Sequence, residues 1–151
     1  MNIVGAIVAG VAGTAVLSMV MALGPRMGMP RMAIWEMLGS MFDKQGNNAL
    51  GWVLHFMMGI VFAIIYAGLW TAGIGGVNLL GGVIFGAVHF LIVGVMMGAM
   101  PVMHAGIKAG AVQAPGVLML GSGGLMGLMG GLIGHVLYGL VVALVYGAFV
   151  A

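Results

Sequence analysis

Residues 50–70 read LGWVLHFMMGIVFAIIYAGLW, a run with no charged side chain. At 1.5 Å per residue a helix over this run crosses the roughly 30 Å hydrocarbon core of a bilayer. Three further runs of the same kind lie at about 3–23, 82–103 and 127–149, so the pattern predicts four spanning helices. Composition agrees with this reading. The 151 residues are 64% hydrophobic and 4% charged, whereas roughly a quarter of a soluble domain is charged. So few polar side chains leave nothing to cover a water-facing surface, and the expected partner is the lipid bilayer. Proline stops the first and third runs at Gly24-Pro25 and Met100-Pro101, because its ring removes an amide donor and restrains the residue before it.

The quoted run has an echo. His55, Gly59, Ala63 and Tyr66 recur 80 positions later as His135, Gly139, Ala143 and Tyr146. Met37-Leu38-Gly39-Ser40 recurs as Met119-Leu120-Gly121-Ser122, Gly5-Ala6 resembles Gly86-Ala87, and Pro25-Arg26-Met27 resembles Pro101-Val102-Met103. The chain therefore reads as one transmembrane domain, 1–151, all-α, built from two tandem two-helix repeats of about 1–75 and 76–151. Units that enter the membrane in the same direction imply a pseudo-twofold axis along the membrane normal. Steps of four, four and three put each His, Gly, Ala and Tyr set on one helix face. Polar groups avoid hydrocarbon and small residues permit close approach, so Gly59, Tyr66, Gly139 and Tyr146 are expected at helix interfaces.

Between the first two runs, Ile34, Met37, Leu38, Met41 and Phe42 repeat at helical spacing opposite Glu36, Asp43 and Lys44. This predicts a short interfacial helix within 31–48. His104 to Ser122 is poorer in charge and contains Pro115-Gly116, and it reads as a looser linker. Arg26, Arg31, Lys44 and Lys108 all fall in the first and third loops. Those loops are expected on the cytoplasmic side, with both termini outside. Met1-Asn2 leads straight into apolar residues without a basic leader, so the first helix is expected to be retained.

Few residues offer chemistry. There is no cysteine, which removes thiolate metal sites and disulfides. Glu36 and Asp43 share one loop and make no convincing catalytic carboxylate pair, and no serine or threonine sits in an acid-plus-histidine pattern. The glycine-rich stretch 121–134 lacks the lysine and strand context of a phosphate loop. The expectation is a protein that is not an enzyme. A pI near 9.4 reflects a surplus of two charges and no basic patch, so no nucleic acid partner is expected.

His55 and His135 are the leading candidates, because an ionisable group inside a span is a functional candidate by default. Two imidazoles across a twofold axis suit one metal ion or the iron of a haem b. The plainer reading is that each hydrogen-bonds across a helix interface. His89 has no counterpart in the first span and reads as an interface hydrogen-bonder. Apart from Met1, every methionine lies in 19–58 or 96–129. Thioethers select Cu(I) over hard cations, so Met27, Met29, Met32, Met100, Met103 and His104 suggest a copper-collecting vestibule above the histidine pair. Methionine as a pliant filler, or as a docking face for another protein, explains the same asymmetry.

Gly24-Pro25, Gly51-Trp52-Val53-Leu54-His55-Phe56 and Gly134-His135 together resemble the uncharacterised, small four-helix bacterial inner-membrane proteins of the YagU-like kind. That resemblance implies a bacterial inner-membrane location and carries no activity or site residue with it. Two functional expectations follow from the whole reading. One is a small accessory subunit of a larger membrane complex, or a homo-oligomer, holding a metal or haem between His55 and His135. The other is a transporter or channel for a small solute or Cu(I).

Overall fold

The computed structural model describes residues 1–151 and is helical throughout, without strands. Four helices are long and apolar enough to cross a membrane: α1 (Ile3–Leu23), α3 (Asn48–Thr71), α4 (Leu79–Met97) and α7 (Gly124–Val150). Three short helices occupy the first and third loops: α2 (Ile34–Gly39), α5 (Met100–Met103) and α6 (Ala105–Lys108). Asparagine starts three of the four long helices. Asn2, Asn47 and Asn78 each accept from an amide three residues on, which satisfies an otherwise orphan donor.

Around the bundle, α1 packs against α3 and α7, and α7 packs against α1 and α4. The remaining side, between α3 and α4, closes through aromatic rings: Tyr66 meets Phe85 at 5.1 Å and Phe62 stacks on His89 at 3.7 Å. Glycine sets the close approaches. A Cβ on Gly10 would stand 2.7 Å from the Ile60 Cα, and one on Gly82 would stand 2.7 Å from the Gly139 carbonyl oxygen. Lipid-like solvent does not drive helices together, so such backbone contact is where association energy comes from. The outward faces of α1, α3 and α4 expose Val8, Val61, Leu91 and Ile92, as hydrocarbon requires.

Both termini lie at one end of the bundle, where the Asn2 amide donates to the Tyr146 hydroxyl. The first and third loops meet at the other end. There the amides of Ala105 and Gly106 donate to the carbonyls of Met41 and Ser40, each at 3.0 Å.

The two loops differ from expectation. The helix expected to lie on the membrane surface within 31–48 is confined to Ile34–Gly39, and its apolar residues turn inward, with Met37 and Leu38 buried. Gly51 explains the inward turn: it lies directly under the Trp35 carbonyl, so α2 seats on the start of α3. Trp35 and Trp52 then stack at 4.5 Å. Phe42, expected on the same face, is outside the helix and exposed. The third loop is more ordered than a loose linker. It holds α5, α6 and a 3-10 turn at Val117–Ser122, within which Leu118 and Met119 adopt positive φ of 51° and 62°.

Candidate functional site

The four long helices do not fill the space between them at the loop end. A chamber of about 380 Å³ lies there, bounded by α1, α2, α3, α4, α7 and the third loop. Its mouth is on the loop face, lined by Arg31, Glu36 and Gln113. Arg31 and Glu36 form an ion pair. Deeper in, the wall is apolar apart from three imidazoles, His55 of α3, His89 of α4 and His135 of α7. All three are buried. His89 and His135 stand edge to face with ring centres 4.8 Å apart. Met21, Met32, Met37, Met58, Met97 and Met119 contribute the thioethers.

Two tyrosines lie beyond the imidazoles, toward the end where the termini meet. The Tyr138 hydroxyl donates to the Gly59 carbonyl, joining α7 to α3, and the Tyr66 hydroxyl donates to the Phe85 carbonyl at 2.9 Å, joining α3 to α4. Their rings stand 6.0 Å apart, and Tyr138 is 5.4 Å from His89. Together with His89 they make a packed aromatic layer next to the chamber.

Satisfying all of the contacts at once assigns the tautomers. The Ser18 hydroxyl donates to the Thr14 carbonyl at 2.7 Å, so it can only accept from His55 Nε2, 3.2 Å away. The Tyr66 hydroxyl proton goes to Phe85, so His89 Nδ1, at 3.1 Å, donates to the Tyr66 oxygen. His135 Nδ1 donates to the Gly131 carbonyl at 2.8 Å, one turn back on its own helix. A neutral imidazole that donates from one nitrogen carries a lone pair on the other. His55 Nδ1, His89 Nε2 and His135 Nε2 are thus acceptors, and none of them has a hydrogen-bond partner within the protein. None is sealed from the chamber either, since the only fully buried and unpartnered side-chain polar atom is Trp70 Nε1.

Several residues singled out in the sequence come together here. His55 and His135 line the same chamber, while Gly59, Tyr66, Gly139 and Tyr146 are all buried at helix contacts. The vestibule does not assemble as expected. His104 is wholly buried with both ring nitrogens committed to backbone, Nε2 donating to Met37 at 2.7 Å and Nδ1 accepting from Ile107 at 3.1 Å. It has no nitrogen left for a metal. Met103 is 65% exposed and Met27 is 77% exposed, both away from the chamber. Met100 is buried in a small cluster with Met37, Val93 and Met97, and of the six vestibule residues only Met32 lines the chamber.

His89, which has no counterpart in the first span, hydrogen-bonds across the α3–α4 interface to Tyr66 as its sequence reading expects, and it also lines the chamber. A signal was present: His89 follows Phe85 by one helical turn, and both present to Tyr66, the last member of the repeated face. Three His or acidic side chains do not converge anywhere in the geometry that would hold a metal ion. Comparison with known protein families, with curated proteins and with solved structures finds no match.

Proposed function

We propose that this is a non-enzymatic, multi-pass membrane protein that holds a small molecule or ion in the chamber at its loop end. One observation carries the proposal: three buried imidazoles surround an apolar space, and each keeps one nitrogen unpaired. Each free lone pair is a hydrogen-bond acceptor set in an otherwise apolar wall, which is the arrangement that orients a bound partner. The location we propose is the bacterial inner membrane, on the YagU-like resemblance. The Lys and Arg residues beside the mouth favour the cytoplasmic side for it.

The tyrosine layer supports holding over free conduction, because packed rings stand between the chamber and the end where the termini meet. As an accessory subunit of a larger complex the protein presents its ligand to a partner, and as a transporter it must first rearrange that layer. The donor set weighs differently on the two cofactors expected from sequence. A haem across His55 and His135 needs an imidazole that approaches the iron unhindered. His55 instead offers Nδ1, whose neighbouring Cβ crowds a macrocycle. Cu(I) is a better fit in softness, from imidazole and thioether together. The repeat remains our reading of the two helix pairs: Gly59 meets α1 at Gly10 and Thr14, and Gly139 meets α4 at Gly82 and Gly86, in both cases across a four-residue step.

Native mass spectrometry of the protein released from its membrane tests the proposal. Wild type is expected to retain a copper ion, a haem or an organic adduct, and Met58→Trp, which fills the chamber, is expected to lose it. Identical spectra for the two proteins would overturn the reading.

A further inference from the structure

We infer that the chamber binds a neutral, largely apolar molecule through a hydroxyl group, of the phenol or hydroquinone class. This rests on the proposed function and names its ligand.

The argument begins from what the wall lacks. Every hydroxyl proton and every imidazole proton on and behind the wall is already spent on a protein acceptor: Ser18 on Thr14, Tyr66 on Phe85, Ser122 on Met119, Tyr138 on Gly59, His55 on Ser18, His89 on Tyr66 and His135 on Gly131. What remains is three imidazole lone pairs and a set of thioethers, which are weak acceptors. The deep wall therefore accepts and does not donate. A ketone, quinone, ether or carboxylate finds no donor there, whereas a hydroxyl does find an acceptor.

Charge and size narrow the class. The deep wall contains no carboxylate, the only acid of the lining being Glu36 at the mouth, where Arg31 already pairs with it. An ammonium ion would enter an apolar space without a counter-charge, at high cost. A lone metal ion is neutralised no better. It would also leave most of about 380 Å³ unfilled, and no three strong ligands converge on a point. A volume of this order matches a small organic ligand. Phe62 and His89, stacked at 3.7 Å, both line the chamber and put aromatic rings in its wall. Ring-bearing molecules pack on such rings in offset or edge-on arrangements.

Photo-crosslinking in nanodiscs tests the assignment with two diazirine probes, one a phenol and the other its methyl ether. Peptides carrying Met58, Met97 or Met119 report the chamber. The phenol is expected to label them about tenfold more than the ether, the margin of one hydrogen bond made to an otherwise unpaired acceptor. His89→Leu with His135→Leu is expected to lower phenol labelling toward the ether level without reducing the ether, and adding His55→Leu, which removes the third acceptor, is expected to bring the two probes level. Should these variants fail to fold, the ratio of the two probes on wild type decides alone.

Equal labelling by both probes would overturn the hydroxyl inference and leave the chamber intact as a binding site. Labelling of the outer faces only, by either probe, would overturn both readings. Phenols with short and with long alkyl tails separate the two sources of such a ligand. Preference for the short one indicates a molecule taken from solution through the polar mouth, and preference for the long one indicates a molecule drawn from the bilayer.

Discussion

At the end where both termini meet, Tyr66, Trp70, Phe85 and Tyr146 fill the bundle axis, with ring centres between 5.1 and 6.0 Å apart. At the loop end the same four helices place Gly59, Gly130, Gly131 and slim, flexible methionines around three imidazoles, and an apolar chamber remains. Hydropathy does not separate the two ends, since every span is apolar along its length. Side-chain volume does. Rigid aromatic residues close one end, whereas thioethers and glycine leave the other adaptable, which is what a ligand site in hydrocarbon requires.

The largest effects should come from breaking the sealed end. Tyr138 is 1% exposed, lies across Gly13 and ties α7 to Gly59 of α3. Tyr138→Ala removes the ring, the tie and the floor of the chamber together, and a loss of about 4 kcal/mol is expected. Thermal unfolding in detergent measures it, and a loss below about 1 kcal/mol would show that the two ends are packed alike. Gly86→Val comes next, because a side chain there strikes the His135 carbonyl and pushes α4 from α7. About 2 to 3 kcal/mol is expected from such overpacking. Gly28→Ala is the control: nothing lies near its Cβ position, though its φ of 80° adds a modest backbone cost.

The sealed end was the more legible in the sequence, and the reason is physical. Tyr66 and Tyr146 close the repeated His-Gly-Ala-Tyr faces, and a face that must avoid lipid announces itself by helical spacing. His55 and His135 were legible on the same ground. The chamber itself was not, because an unfilled volume depends on which residues fail to meet, and spacing along one helix does not contain that. His104 shows the limit most plainly. Beside Met103 it resembled a soft ligand, yet its ring is claimed by Met37, 67 positions earlier, through a contact between two loops. The glycine contacts do not follow the sequence match. Gly5 and Gly86 match at 81 positions, whereas packing pairs Gly10 with Gly59 and Gly82 with Gly139, glycines 72 positions apart.

At the loop end, volume-conserving changes should matter little for folding. Met97→Leu and Met119→Leu keep the apolar volume while removing sulfur, and each is expected to cost less than about 1.5 kcal/mol. Unfolding midpoints check the stability, and native mass spectrometry of the same samples checks the ligand. An adduct that survives both changes does not depend on thioethers. A copper adduct lost with either one would return Cu(I) to the leading place among ligands.

The smallest expected effect sharpens the comparison most, because it asks whether the sealed end is satisfied as well as full. Trp70 packs against Tyr66, Phe85 and Tyr146, yet its Nε1–H is buried without an acceptor. Such an orphan costs about 1 to 3 kcal/mol, and removing one ring of the indole forfeits a similar amount of packing. In Trp70→Phe the two terms oppose each other. A net change within about 1 kcal/mol is expected, tending toward greater stability because phenylalanine leaves no polar atom in the layer. A loss above about 2 kcal/mol in detergent unfolding would mean that the indole proton has a partner in the membrane. In that case the sealed end is completed by something outside the chain.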